Sequence, residues 1–264
     1  MISKFTLFTA MLVIPGIYSY AQQPDLVKEP TALKMKGAYT LLKQTINDST
    51  INVQQQKMFT DKYMMYAHKR AQDSLAEYGI GTYRIENGKV IENILYTNQG
   101  PRSNTFELVV AKEGDSYSQV INFPVDSQGT TAILTESYKS IGSNLVTPLD
   151  GTWKQIKSVT IMNDGKTVVT DDPIQFKMYE SGNFLWTHSW KDDKGNLLSS
   201  YGYGNFRMDG NNKAVEIPTS STYSTELEGK AINLDLKFIG KDKYEQTILY
   251  PDGTRTTETY ERMK

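Results

Sequence analysis

The sequence predicts an all-β protein built as two tandem up-and-down antiparallel β-barrels of about eight strands each. Three observations carry that reading: short runs in which apolar and polar residues alternate with period two, turn-forming tripeptides between those runs, and a duplication that divides the chain into two halves. The duplication is plainest in Tyr78-Gly-Ile-Gly-Thr-Tyr-Arg-Ile85, which returns as Tyr201-Gly-Tyr-Gly-Asn-Phe-Arg-Met208, each copy preceded by one of the chain's two histidines, His68 and His188. A repeat of this length, well above the roughly 20–50 residues of solenoid and propeller units, argues for two whole domains.

The two copies can be matched in chain order. Gly37-Ala-Tyr39 corresponds to Gly151-Thr-Trp153 at the opening strand, and Lys57-Met-Phe59 to Lys177-Met-Tyr179 at the next long one. From there a constant offset of 120 (178 − 58 = 188 − 68) makes His68 and His188 equivalent. Beyond the glycine segment, Tyr117-Ser-Gln-Val-Ile-Asn-Phe-Pro124 matches Tyr244-Glu-Gln-Thr-Ile-Leu-Tyr-Pro251, and Glu136-Ser-Tyr138 matches Glu258-Thr-Tyr260. In the second half the runs 174–179, 183–190, 232–238 and 244–250 alternate with period two. Asn163-Asp-Gly165, Glu180-Ser-Gly182, Asp193-Lys-Gly195, Asp209-Gly-Asn211 and Pro251-Asp-Gly253 supply the turns between strands. Closure into barrels is expected because it removes the exposed edges of a small sheet. Helix is scarce: Lys69 to Leu75 is the best candidate, and Asp25 to Leu33 could form a turn.

Residues 1–21 read as a signal peptide, with Lys4, an apolar run from Phe5 to Ile17 and the small-x-small ending Ser19-Tyr20-Ala21. Cleavage near Ala21 and a secreted or periplasmic location are expected, with no transmembrane segment in the mature chain. The expected domains are 22–145 and 146–264, touching across a short linker near Ile141 to Pro148. No cysteine occurs, which removes disulfides, thiolate metal sites and cysteine nucleophiles. With 29 basic against 30 acidic side chains and no basic cluster, no nucleic-acid partner is expected. A single outer-membrane barrel is disfavoured because Lys154, Lys157, Lys177 and Lys191 interrupt the strands that would face lipid.

Gly151-Thr-Trp-Lys-Gln-Ile156 and Asp252-Gly-Thr-Arg-Thr-Thr-Glu-Thr-Tyr-Glu-Arg262 resemble the first and last strands of lipocalin-like and fatty-acid-binding barrels, the calycin group. Gln175-Phe-Lys-Met-Tyr179, Phe184-Leu-Trp186 and Gly202-x-Gly204-x-Phe206 look like the lipocalin-like domain family of secreted Bacteroidetes proteins. The resemblance covers the second half well and the first more faintly. It implies closed barrels with an apolar cavity that carry small hydrophobic molecules. It also implies an aromatic plug at each barrel bottom, Trp153 stacked on Arg262, with Tyr39 in the other half lacking an equivalent arginine.

Candidate site residues come from the strand faces. Period two places Phe184, Trp186, His188 and Trp190 on one face, matched by Met64, Tyr66, His68 and Arg70. A histidine among aromatic rings could hold a ligand head group, act as a base, or sit in the core with one hydrogen bond. Tyr201, Tyr203, Asn205 and Arg207 share one face of the glycine strand, and the glycines mark either room above an inner face or a bend. Fatty-acid-binding barrels hold a carboxylate with Arg-x-Tyr on the last strand. The matching positions here are Glu136-x-Tyr138 and Glu258-x-Tyr260, so an acid would be repelled there. Either Arg84 and Arg207 supply the missing cation or the ligand is neutral or cationic; Glu92 and Glu216 could instead neutralise those arginines.

The expected function is that of a binding protein holding a small hydrophobic or amphipathic molecule. The second barrel is the favoured site because it keeps Trp153, Trp186, Trp190 and Tyr203. Two rivals stand beside it: acid–base chemistry by His188, Glu258 and Tyr260, and solid barrels that act through their surfaces. No metal or cofactor is implied, since one histidine per half lacks a partner at ligand spacing.

Overall fold

Eighteen strands in two sheets of equal size account for most of the computed structural model, which describes residues 33–69, 76–124 and 129–264. The first sheet comprises β1 (Gly37–Ile46), β2 (Ser49–Ile51), β3 (Gln55–Phe59), β4 (Tyr63–Lys69), β5 (Ala76–Glu86), β6 (Lys89–Thr97), β7 (Gly100–Glu113), β8 (Ser116–Pro124) and β9 (Thr131–Ser140). The second comprises β10 (Gly151–Ile161), β11 (Thr167–Asp171), β12 (Ile174–Glu180), β13 (Asn183–Lys191), β14 (Leu197–Met208), β15 (Lys213–Ser221), β16 (Ile232–Phe238), β17 (Lys243–Leu249) and β18 (Arg255–Arg262). Sequential neighbours pair antiparallel, and β1 with β9 and β10 with β18 close each sheet into an eight-stranded barrel. The ninth strand in each sheet is a short arm: β2 and β11 pair with the far halves of β1 and β10, whose near halves pair with β3 and β12.

The turns follow the sequence signals. Ser181 and Gly182 both adopt positive φ, 54° and 77°, as a two-residue hairpin turn matched to strand twist requires. The signal peptide, the Asp25 to Ala32 stretch, Arg70 and the helix expected through Leu75 lie outside the described residues. Among the described residues the one helix is a single 3-10 turn, Thr225–Leu227, and no helix is long and apolar enough to cross a membrane.

Alternation sends each strand's side chains to two destinations. Inward residues of the first barrel form a core around Tyr39, Phe59, Met64, Val90, Leu108, Tyr117 and Tyr138. Those of the second surround Trp153, Tyr179, Phe184, Phe206, Tyr244 and Tyr260. A third core lies between the barrels, where the outward faces of β3, β4 and β5 meet those of β12, β13 and β14. It unites Met58, Met65, Tyr78 and Ile80 with Met178, Leu185, Tyr201 and Tyr203, and Leu33–Lys264 accordingly form one compact unit.

The duplicated glycines serve two purposes. A Cβ on Gly202 would lie 2.5 Å from Nε1 of Trp186, and one on Gly79 2.5 Å from Cε1 of Tyr66, so each ring lies across the glycine of the next strand. The room expected above these glycines is taken by a neighbour's ring. Gly81 and Gly204 sit at β-bulges instead, pressed against the backbone of Asn93 and Ile217. Gly202→Ala should cost about 1–3 kcal/mol through overpacking. Thermal denaturation checks this, and a wild-type melting temperature would mean the Trp186 ring is not pinned there.

Candidate functional site

The aromatic plugs at the barrel bottoms are present but unlike one another. The Arg262 guanidinium lies 4.0 Å from the Trp153 ring centroid and donates to the carbonyls of Asp150 (2.6 Å), Lys241 (3.1 Å) and Pro148 (3.2 Å). Tyr39 instead meets Lys112, 6.0 Å from its ring, which reaches in from β7 rather than the last strand. Lys112 also donates to the carbonyl of Lys34 at 2.7 Å.

Polar chemistry lies inside the barrels and is duplicated. Lys57 pairs with Glu92 at 2.7 Å and Lys177 with Glu216 at 2.8 Å, all four side chains at most 5% exposed. Alternation through Gln55-Lys57-Phe59 and Gln175-Lys177-Tyr179 aims both lysines inward. Among the described residues these, and not Arg84 and Arg207, are the interior cations. Arg84 is exposed and bonded to Glu86 (3.1 Å), and Arg207 is exposed on the outer wall, which corrects the expected interior placement of both arginines and their pairing with Glu92 and Glu216.

From each ion pair a chain of amides runs to a second carboxylate, Glu136, which is buried, or Glu258, which is half-buried. In the first barrel Lys57 donates to Gln119 (3.3 Å), and Gln119 donates to Glu136 (2.5 Å), which also accepts from Gln44 (2.8 Å) and Gln55 (3.4 Å). Gln55 donates to the Tyr138 hydroxyl (2.5 Å) and accepts from Nδ1 of His68 (2.8 Å), whose Nε2 meets Glu77 at 3.0 Å. The second barrel repeats the pattern. Lys177 donates to Gln246 (3.2 Å), and Gln246 (2.5 Å), Gln175 (3.5 Å) and Tyr260 (3.0 Å) all donate to Glu258. Burial, reinforced by Glu136 and Glu258, holds the Tyr138 and Tyr260 hydroxyls well above the ordinary tyrosine value, so both are neutral donors.

The histidines diverge. His68 is tied into this network, whereas His188 stacks 5.3 Å from Trp190 and, among the described residues, makes no hydrogen bond to Glu258 or Tyr260. Burial lowers the His188 pKa below 6.5 and outweighs the opposing pull of Glu258, which keeps the ring neutral. The expected set of His188, Glu258 and Tyr260 is thus joined only at Glu258 and Tyr260.

The two mouths also differ. β6 and β7 are joined by residues 98–99, whereas β15 and β16 are joined by residues 222–231, which carry the 3-10 turn and Tyr223. The Tyr223 ring stands edge-on 6.4 Å from Trp186 over the second mouth. The first mouth, with its short turn, opens into a cleft of about 320 Å³ lined by Tyr66, His68, Glu77, Ile94, Arg102 and Phe106 among others. The Tyr66 and His68 rings lie nearly parallel there, 15° apart with centroids at 6.4 Å.

Of the remaining expected residues, Trp190 is part-exposed at the rim beside His188. Tyr203 is not in the interior: it is stacked on Tyr201 (7°, 5.3 Å) in the inter-barrel core, with burial pushing its phenol up to about 12. The residues missed at first reading, Lys57, Lys177, Gln55, Gln119, Gln175 and Gln246, were all signalled by period two on the strands that carry them. A wider depression of about 760 Å³ lies at the opposite end of the second barrel, between the linker and Met208, Phe238 and Lys241. Its most buried cation, Arg262, is already committed to the plug.

No family model matches the chain, and no curated protein does. Among solved structures, the chain is similar to a protein of unknown function from the DUF3598 family of Nostoc punctiforme PCC 73102. That likeness is at 14% identity over 86% of this chain and 96% of that one, with a TM-score of 0.26. The fold therefore rests on the strand pairing itself.

Proposed function

We propose that this protein is an exported small-molecule binding protein whose ligand site is the mouth of the first barrel. Closed barrels are consistent with a binding fold, and the Trp153–Arg262 stack supports kinship with calycin-type binding barrels. The observation that carries the reading is the cleft of about 320 Å³ in which Tyr66 and His68 form a flat wall, backed by a hydrogen-bonded network that fixes the imidazole. A volume of this size suits a single ring with a short polar arm, smaller than the long apolar occupant expected of a hollow barrel.

The site moves from the second barrel to the first because the large side chains that made the second attractive are otherwise engaged. Trp153 is the plug, Trp186 is covered by Tyr223, and Tyr203 faces the other barrel. That occupancy favours a structural role for the second barrel.

The test is NMR titration of the full chain with 2-phenylethanol, 2-phenylethylamine and phenylacetate. Binding should move the amides of Tyr66, His68 and Thr97 to Gln99, and Phe106→Ala should weaken the best binder about tenfold, the equivalent of about 1.4 kcal/mol. Shifts confined to the second barrel, or none with any probe, would refute the assignment.

A further inference from the structure

We propose that the mouth of the second barrel is a gated site for a neutral aromatic amide or alcohol. His188 and Ser200 are its polar pair, Trp186 and Trp190 its walls, and the Tyr223 ring the gate that the ligand displaces. This second site is independent of the first-barrel cleft and adds to the structural role of its barrel.

Equivalent rows of side chains in the two barrels lead there. Across three adjacent strands Gln55, His68 and Glu77 stand in register in the first barrel, and Gln175, His188 and Ser200 in the second. In the first barrel hydrogen bonds run along the row, from Gln55 to Nδ1 of His68 (2.8 Å) and from Nε2 to Glu77 (3.0 Å). In the second the row is broken. Gln175 turns its amide to Tyr260 (2.6 Å) and Glu258 (3.5 Å), and a serine stands where the first barrel has a carboxylate. Among the described residues His188 makes no hydrogen bond, and the hydroxyl of Ser200, a residue 2% exposed, has no partner either. Residues directly opposite on an antiparallel pair hold their Cβ atoms about 4.5–5.5 Å apart, so the imidazole and the hydroxyl are neighbours. Buried polar groups are ordinarily hydrogen-bonded, and two unpartnered neighbours on one inner wall point to a partner from outside the chain.

The walls around this pair are aromatic. Trp190 stands 5.3 Å from His188, and the Trp186 ring lies across Gly202, which shares a strand face with Ser200. Tyr223 covers Trp186 from above, and it is lightly held: it is 65% exposed, and its ring meets Trp186 only edge-on at 6.4 Å. The connection beneath it is firmly fixed. The Ser221 N–H donates to Glu228 (2.9 Å), and the Gly229 N–H to the Pro218 carbonyl (2.8 Å). A rotamer change of one side chain therefore opens the mouth without unfolding the connection. Burial keeps His188 neutral, and a neutral imidazole offers one N–H donor and one bare nitrogen. With the Ser200 hydroxyl beside it, the wall suits a flat ring whose polar group both donates and accepts. A carboxylate is disfavoured, because the charge of Glu258 reaches His188 through surroundings that screen it poorly.

The test is NMR titration of the full chain with benzamide, benzoate and toluene, read at the indole N–H signals of Trp186 and Trp190. Tyr223→Ala removes an exposed ring and should let benzamide bind at least about threefold more tightly than it binds the wild type, since more of the protein is then open. Benzoate and toluene should bind at least about tenfold more weakly than benzamide. In the Tyr223→Ala chain, Ser200→Ala should weaken benzamide about fivefold without lowering the melting temperature, because the hydroxyl it deletes has no partner within the protein. A lower melting temperature with an unchanged titration would assign that hydroxyl to the fold and overturn the site. Equal affinity of the wild type and Tyr223→Ala would overturn the gate. Indole signals that benzamide moves in neither chain would overturn both. The amides of Tyr66, His68 and Thr97 to Gln99 report the first cleft separately, so failure at one site is not mistaken for failure at the other.

Discussion

Lys57→Met is expected to destabilise the protein by about 3–5 kcal/mol at neutral pH, because it leaves Glu92 buried without its counter-ion. The Glu92 carboxyl already sits above its ordinary 4.5, since burial outweighs the pull of Lys57, and Glu136 pushes it the same way. Without the lysine its folded value rises further. A group whose folded pKa exceeds its unfolded one binds more protons in the native state. Its stabilising contribution is complete below about pH 4.5 and is lost as pH rises through the folded value. The penalty of Lys57→Met should therefore be small near pH 4.5 and grow toward pH 8. Lys57→Met with Glu92→Met should recover most of the loss, since an apolar pair of similar volume often replaces a buried ion pair at no cost.

The second barrel supplies an internal comparison. Tyr179 donates its hydroxyl to Glu216 at 2.5 Å, whereas the equivalent residue in the first barrel is Phe59. Lys177→Met leaves Glu216 that donor and should cost less than Lys57→Met by about 1.5–3 kcal/mol, the worth of a hydrogen bond to a charged group. Urea denaturation at pH 4.5, 6 and 8 checks all of these. A Lys57→Met penalty that is flat with pH would sink the account, because it would mean the loss is one of packing and not of charge.

Much of the architecture was readable because β-sheet physics leaves short-range marks. Period two, paired turn residues and a repeated glycine strand are local signals, and each survives in one chain without an alignment. The inward face of His68 followed from the same alternation, whereas Glu136, Tyr138, Glu258 and Tyr260 were singled out by the resemblance of the last strands to fatty-acid-binding barrels. What alternation cannot say is whether an outward face meets water or another barrel. Tyr203 looked like a ligand contact because a large aromatic on a strand of an isolated barrel has few other uses. Its actual use is to face a second barrel, a long-range fact that no window of sequence contains.

The lysines were missed for a different reason. Lysine on a strand is ordinarily a solvated side chain, so Lys177 was taken as a mark against a lipid-facing wall and Lys57 only as part of the repeat, and the cation was sought at Arg84 and Arg207. The pattern itself held the answer, since Lys57 shares a face with Phe59 and Lys177 with Tyr179. A residue-type expectation overrode a positional one. The difference between the two mouths, by contrast, comes from connection lengths, 98–99 against 222–231, and what a longer connection covers depends on where it folds back.

Met58→Ala combined with Met178→Ala is expected to turn one unfolding transition into two. Both residues are 0% exposed in the core between the barrels, at equivalent places in the two halves, and each truncation should cost about 2–5 kcal/mol. The contact is isologous: β3 meets β12, β4 meets β13 and β5 meets β14, so each surface patch faces its own duplicate, as in a two-fold symmetric dimer. The patch is a buried apolar cluster crossed by a few polar contacts, with Gln56 donating to the Phe184 carbonyl (3.0 Å) and the Tyr78 hydroxyl 2.7 Å from Ser189 Oγ. An interface of that kind couples the stability of its halves, and the wild-type chain should melt in a single calorimetric step. Truncating the two methionines weakens the coupling and leaves each barrel's own ladder intact, so the halves should then melt apart, each at its own temperature. A wild-type profile already split in two would show that the patch does not bind the barrels into one cooperative unit. Mutations in one mouth would then be unable to alter the other barrel's stability.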